Sequence, residues 1–277
     1  MRLMTFAAAF AFTAGPAVAQ DYPTRPVTIV VPAAAGGPTD TISRITAQGM
    51  SKILGQQVTI ENVGGAGGTL GTTRAARAEP DGYTLLIYHV GLATAATLYR
   101  KLAYDTRTAF APAGLISDAP MTFIGRSDLE PKTLNELIAY IKGRSSSSKP
   151  VTFGNAGIGS ASHLCGMLFH AETQAAFTAV PYRGTGPVMN DLIGKQIDMS
   201  CDQATNTTNP ILGKQVKAYA VTTKTRLKSL PDVPTADEAG LKGFELSVWH
   251  GLFAPKGPRS CRNSRRRSRA RSRIPIW

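Results

Sequence analysis

Three times along this chain an apolar, β-branched run breaks into a glycine-rich stretch and then into a helical pattern. Residues 27–31 (VTIVV) are the first such run, the signature of a parallel strand buried on both faces. Pro32-Ala33-Ala34-Ala35-Gly36-Gly37-Pro38 follows as a loop, and Thr39 or Asp40 is placed to cap a helix. Ile42, Ile45, Met50, Ile53 and Leu54 lie near one face of that helix, and Gly55 is a natural stop. A second strand at 58–61 leads into Gly64-Gly65-Ala66-Gly67-Gly68 and a short helix rich in Ala and Arg. After the turn Glu79-Pro80-Asp81-Gly82, a third strand at 83–88 ends at His89-Val90-Gly91. This βαβαβ rhythm implies a parallel sheet with right-handed crossovers.

A second βα set begins near Met121. Strands are expected at 121–125, 151–153, 179–181, 197–201 and 217–222. Thr133-Leu134-Asn135-Glu136 matches a capping box opening a helix. Gly154-Asn155-Ala156-Gly157-Ile158-Gly159-Ser160 and Tyr182-Arg183-Gly184-Thr185-Gly186-Pro187 are strand-to-helix loops of the same design as 32–40. The junction between the two sets falls near 115–125. Leu230-Pro231-Asp232-Val233-Pro234 reads as the return crossing. The expected lobes are therefore 20–120 with 225–257, and 121–224.

Both ends stand apart from this pattern. Residues 1–19 read as an export signal: Arg2, a short apolar segment, and the cleavage-type triplet Ala17-Val18-Ala19. The mature chain is then expected to start at Gln20 beyond the inner membrane. The formal charge of +13 is misleading, because eight arginines and no acid lie between Arg259 and Trp277. Subtracting them leaves +5, and losing Arg2 as well leaves +4, which is no basic nucleic-acid-binding composition. Residues 258–277 have no amphipathic period and read as a disordered Arg/Ser-rich tail.

Strand-to-helix glycine loops at the carboxyl end of a parallel sheet are where open α/β folds bind ligands. Glycine lets the backbone approach closely, and free N–H groups at a helix start attract anions. Thr39, Ser160, Ser162 and Thr185 add hydroxyls, so a carboxylate can be held without an arginine. Any one such loop is equally a tight turn; three in two lobes favour the ligand reading. Enzyme motifs fail: Gly184-Thr185-Gly186 lacks the third glycine of a dinucleotide fingerprint, and Gly194-Lys195-Gln196 is no P-loop. Gly159-Ser160-Ala161-Ser162-His163 is no nucleophile elbow. His89, His163, His170 and His250 show no metal spacing, and no cofactor is implied. His163 reads as a structural helix residue, and His89 as either cleft or packing. Asp202 either meets a ligand ammonium or caps the next helix. Cys165 and Cys201 either form a disulfide in an oxidising compartment or are two buried thiols.

Taken together, several stretches resemble the tripartite tricarboxylate transporter receptors, the Bug-type periplasmic binding proteins. They are Gly36-Gly37-Pro38-Thr39-Asp40, Glu61-Asn62-Val63-Gly64-Gly65-Ala66-Gly67-Gly68, Pro80-Asp81-Gly82-Tyr83 and Leu98-Tyr99-Arg100-Lys101-Leu102. The second set adds Gly157-Ile158-Gly159-Ser160, Pro181-Tyr182-Arg183-Gly184-Thr185-Gly186-Pro187, Leu230-Pro231-Asp232-Val233-Pro234-Thr235 and Trp249-His250-Gly251-Leu252-Phe253. The resemblance spans about residues 22–257. It implies a two-lobed α/β Venus-flytrap receptor, monomeric and without catalysis, that hands a small carboxylate to a membrane permease. By position it implies ligand contacts from Ala35, Gly36, Gly37, Thr39 and Asp40, with His89, Gly91 and Ala93 beside them. From the second lobe it implies Gly157, Ile158, Gly159, Ser160, Thr185 and Asp202. Cys201-Asp202-Gln203 with Pro38-Thr39-Asp40 is most similar to the amino-dicarboxylate branch. The family continues beyond Pro255-Lys256-Gly257 with a helix completing the first lobe, so the arginine tail suggests a frameshift near residue 258. A signalling receptor with the same cleft, and a periplasmic enzyme of organic-acid metabolism, are the other readings.

Overall fold

The first apolar run forms β1 (Val27–Val31), with Val27, Ile29, Val30 and Val31 fully buried. It sits between two parallel neighbours, β2 (Val58–Asn62) and β3 (Thr84–Tyr88), in the register Val27 to Val58 and Thr28 to Thr84. This computed structural model describes residues 22–256; the expected leader, the arginine tail and Cys261 lie outside them.

Helix α1 (Pro38–Leu54) begins one residue earlier than Thr39. Gly37 occupies the N-cap position and Pro38 opens the first turn, where a missing N–H is harmless, so neither Thr39 nor Asp40 is the cap. Gly55 closes the helix in the left-handed conformation, as its place in the sequence suggests. Ile42 is buried, but Ile45 and Ile53 are exposed, so the buried stripe is narrower than the apolar pattern. A short 3-10 turn at 66–68 precedes α2 (Thr69–Ala76). Beyond β3, where the sequence suggests only a strand end at His89-Val90-Gly91, the chain forms helix α3 (Gly91–Leu98).

The two lobes share one long strand. β4 (Phe110–Arg126) pairs along 110–120 with β9 (Ser247–Pro255), and along 121–126 with β7 (Met199–Gln203) and β8 (Val216–Val221). Register shifts fall between Pro112 and Gly114 and between Leu115 and Ser117. These bulges accommodate residues that interrupt any strand pattern in the sequence. β9 also pairs antiparallel with β3, so the sheet runs β2-β1-β3-β9-β4 and continues as β4-β7-β5-β6. Here β5 (Thr152–Asn155) is parallel to both β6 (Thr178–Pro181) and β7. Helices α4 (Leu134–Arg144), α5 (Ala161–Thr173), α6 (Thr185–Ile193) and α7 (Ala204–Leu212) complete the second lobe.

Separate cores fill the two lobes. Val27, Ile29, Val31, Leu85, Ile87 and Leu252 form one; Met121, Phe123, Leu137, Phe153, Phe169 and Met199 form the other. Expected lobe boundaries need one correction. Leu230 and Val233 pack on Val221, and Ala236, Leu241, Phe244 and Val248 join the second-lobe core. The segment 225–246 therefore belongs with the second lobe, and β9, not the proline segment, makes the return crossing. Its placement follows from hydrophobic complementarity, which no local turn signal reports. Cys165 on α5 and Cys201 on β7 form a disulfide with Cα atoms 6.2 Å apart. No helix among the described residues is long and apolar enough to cross a membrane.

Candidate functional site

Four helices begin at the seam between the lobes. A small cavity there is lined by Gly37, Pro38 and Thr39 at the start of α1, and by Ser160, Ala161 and Ser162 at the start of α5. Gly184 and Thr185 at the start of α6, and Asp202 and Gln203 just before α7, close its other sides, with Ala33, His89 and Ala156 between. Helix starts carry unsatisfied N–H groups and the positive end of the helix dipole, so their convergence makes the cavity attractive to anions. The cavity holds about 30 Å³, measured to the centre of a water-sized sphere.

The lobes meet over this cavity. Ala34 N donates to Arg183 O at 3.0 Å across the seam. Thr94 Oγ1 donates to Gly159 O, and the Tyr99 hydroxyl to Ile158 O, each at 2.9 Å. A Cβ at Gly67 would lie 1.9 Å from Ile158 O, so this contact requires glycine. The structure is thus a closed one.

Polar groups in the cavity fall into donors and acceptors. Ser160 Oγ accepts from His163 N, capping α5, and lies 3.2 Å from Ser162 Oγ, which in turn accepts from Ala156 N. His89 Nδ1 accepts from Gly91 N at 3.2 Å, which fixes the tautomer with the proton on Nε2. Burial, with His250 beside it, pushes the His89 pKa down to about 3, so the ring is neutral. Asp202 is the opposite case. Burial pushes its pKa up to about 6, against hydrogen bonds from Asn206, Gln203 N and the Thr185 hydroxyl. Asn206 Nδ2 donates to Asp202 Oδ2 at 2.6 Å, and Gln203 N to Oδ1 at 2.8 Å. Gln203 Oε1 is buried without a hydrogen-bond partner among the described residues. Asp202 and Gln203 both line the cavity on its second-lobe side.

Of the residues singled out from the sequence, Gly37, Thr39, His89, Ser160, Thr185 and Asp202 line this cavity. Ala35, Gly36 and Ala93 are exposed, while Gly157, Ile158 and Gly159 lie at the seam, with the Ile158 side chain outward. Gly91 packs against the Tyr88 hydroxyl, which lies 2.4 Å from where a Cβ would sit. Asp40 is not a cavity group. Its carboxylate accepts from Gly36 N, Arg44 Nε and Asn62 Nδ2 at 2.9–3.0 Å, bracing the first loop from behind. Burial works to raise its pKa, but those hydrogen bonds hold it below the ordinary carboxylate value. His250, left out of the sequence-based site, is fully buried on β9 and reaches both Thr39 and Ser117. Ala33, Ala156 and Gly184, members of the three glycine loops, and Ala161 also line the cavity, although a small residue carries no chemical signal that singles it out. A larger hollow of about 180 Å³ lies in the second lobe between Phe153, His163, His170 and Phe177. Its walls are mainly apolar and it lacks the convergent helix starts. His163 Nδ1 accepts from Gly159 N, a bracing role in keeping with a structural histidine.

Residues 42–261 match the family model described as the tripartite tricarboxylate transporter family receptor. A protein from the TAR-I ttuE–ttuC′ intergenic region of Agrobacterium vitis is 58% identical over 241 residues, 87% of this chain and 69% of that protein. Among solved structures, the periplasmic binding protein BugD is 51% identical with a TM-score of 0.82, the match covering 87% of this chain and 79% of that one. MatC from Rhodopseudomonas palustris, solved with bound malate, is 42% identical with a TM-score of 0.80, covering 85% of this chain and 80% of that one.

Proposed function

This chain belongs to the tripartite tricarboxylate transporter receptor family, and from that premise we propose that it is a periplasmic solute receptor for a small dicarboxylate. One observation carries the reading: four helix N-termini and the hydroxyls of Thr39, Ser160 and Thr185 converge on a cavity that both lobes enclose. A hydrogen bond to a charged group contributes roughly 1.5–3 kcal/mol. Several of them, after ordering costs, reach the roughly 8 kcal/mol of micromolar binding. Malate in MatC supports the class of ligand.

Asp202 and Gln203 Oε1 refine the choice. A ligand that is carboxylate on all sides leaves Asp202 facing like charge and Gln203 Oε1 without a donor. A ligand with an amino or hydroxyl group beside its carboxylate offers a donor on this side of the cavity, where Gln203 Oε1 has no partner among the described residues, and this favours the amino-dicarboxylate and hydroxy-dicarboxylate classes. In this reading the work of the site is capture and release, with delivery to a permease of the family's transporter.

Calorimetric titration against malate, aspartate, glutamate, citrate and nicotinate tests the reading. Micromolar binding of a dicarboxylate with no product formed is the expected result. Turnover, or indifference to every member of the panel, would overturn it.

A further inference from the structure

The hollow in the second lobe has the make-up of a small-molecule site, with apolar walls and a few placed polar groups. Its volume is about 180 Å³. Phe153 and Phe177 line it with their rings stacked, centroids 4.7 Å apart, and His170 meets Phe177 edge-on at 6.2 Å. Met167 and Ala176 on its wall are exposed, so it is open to solvent. Two further side chains bring donors to it. Asn155 is only 1% exposed, and its Oδ1 accepts from Gly157 N at 2.9 Å. The Nδ2 of the same amide donates to nothing among the described residues, which is costly for a buried group. His163 Nδ1 accepts from Gly159 N at 3.3 Å, and burial holds the ring's pKa down. The ring is therefore neutral with its proton on Nε2, a second donor without a partner among the described residues.

We infer that this hollow is a second ligand site, taking a neutral single-ring aromatic that carries an acceptor oxygen, and that its occupancy favours closure of the lobes on the dicarboxylate. Phe153, Phe177 and His170 offer a ring both faces and edges. The volume suits one ring, since an apolar cavity of about 150 Å³ takes benzene. An acceptor oxygen supplies what Asn155 Nδ2 and His163 Nε2 lack. An anion is the poorer occupant, because no lysine or arginine lines the hollow to offset its lost hydration. The coupling to closure has a local cause. Gly157 N and Gly159 N rest on the same two side chains, and the loop they belong to takes the seam bonds from Tyr99 and Thr94 at Ile158 O and Gly159 O. An occupant that fixes Asn155 and His163 leaves this loop less freedom to lose when the seam forms. The link to the dicarboxylate rests on the receptor reading above, whereas the aromatic site does not.

Acetophenone is the probe, with toluene as the ring that lacks an oxygen. Ligand-observed NMR on the parent should show saturable acetophenone binding, with toluene weaker by about threefold to tenfold, the equivalent of about one hydrogen bond. Ala176→Phe and Met167→Trp each put a bulky ring into the hollow from an exposed position. Both should abolish acetophenone binding and keep the parent's affinity for malate. No binding to the parent, or unchanged binding to both variants, overturns the site. Toluene as tight as acetophenone overturns the role of the two donors. With acetophenone present, hydrogen exchange at residues 157–160 should slow in the parent and not in the variants, and calorimetry should find malate bound about fivefold tighter. Unaltered exchange, or measurable malate binding that is no tighter, overturns the coupling. A parent that binds neither malate nor aspartate refutes the receptor reading alone, because NMR and the exchange rates still decide the aromatic site.

Discussion

His250 on β9 holds Thr39 at the start of α1, with Nε2 3.3 Å from Thr39 Oγ1. The other ring nitrogen, Nδ1, lies 3.2 Å from Ser117 Oγ on β4. β4 and β9 are the two strands that join the lobes, so a cavity hydroxyl is tied to the connection between them. Burial pushes the His250 pKa down to about 4, although Val248 and Asp118 act to raise it, and the ring stays neutral near neutral pH. His250→Phe keeps the volume and removes both bonds. It should weaken dicarboxylate binding by about threefold to tenfold, the equivalent of about one hydrogen bond. Calorimetry on parent and variant measures this, and unchanged affinity would show that Thr39 is oriented without the ring.

Seam hydrogen bonds from Tyr99 and Thr94 form only when the lobes meet. Tyr99→Phe and Thr94→Val should each speed ligand release by about threefold to tenfold, at about 0.5–1.5 kcal/mol per bond, with little change in the association rate. Stopped-flow fluorescence separates the two rates. A slowed association with unchanged release would contradict a latch that acts after closure.

Gly67→Val tests closure from the other side. The site of the new Cβ is 1.9 Å from Ile158 O, and φ at Gly67 is 58°, a region that side chains with β-branching avoid. Ligand should fail to compact the variant in small-angle scattering, and affinity should fall by more than about tenfold. Ligand-induced compaction like the parent's would mean that the seam opposite Gly67 gives way easily.

Asp202 sets the pH response of the site. Its pKa of about 6 in the fold lies above its ordinary 3.8, so its share of stability is fully present below pH 3.8 and is lost as pH rises through 6. The ionised form is the one that attracts a cation. Aspartate affinity should therefore rise between pH 5 and pH 7, and by more than that of malate, which offers Asp202 a hydroxyl and no ammonium. His89 stays neutral across that window, with its pKa pushed to about 3, so Asp202 is the cavity group that titrates there. Asp202→Asn should abolish the rise. A rise of the same size in Asp202→Asn, or for malate, would place its origin elsewhere.

Cys165–Cys201 ties α5, whose first turn lines the cavity, to β7, whose last residues are Asp202 and Gln203. Opening this crosslink of 36-residue separation should cost about 2–4 kcal/mol of stability. Urea denaturation of the Cys165→Ser, Cys201→Ser double variant against the oxidised parent gives the value directly. Midpoints that coincide would show that buried packing alone holds the two elements together.

Much of this architecture was legible in the chain. VTIVV at 27–31 had to be a buried strand, because a continuous β-branched run has no polar face to show to water. Thr133 and Glu136 marked a helix start that the structure uses, the Thr133 side chain accepting from Glu136 N. The strand-to-helix loops at 32–37, 156–160 and 182–184 were readable for the same reason: local backbone chemistry names them. Of β4 only the 121–125 end was readable, because Pro112, Gly114 and Pro120 hide the rest of a 17-residue strand that pairs with β9, β7 and β8. α3 was hidden as well, since GLATAATL offers no polar face by which an amphipathic period can be seen.

What the sequence by itself determined is therefore the set of βα units and the kind of backbone each loop offers a ligand. These are local properties, fixed by residues a few positions apart. Which loops face one another was decided only in three dimensions. Asp40 and Thr39 are neighbours in the chain, yet one braces the loop on Arg44 and Asn62 while the other lines the cavity beside His250. Ala34 and Arg183, 149 positions apart, join across the seam by a single backbone hydrogen bond. Long-range pairings of this kind follow from how the two cores pack and how β4 and β9 bend between them, and no local pattern encodes that.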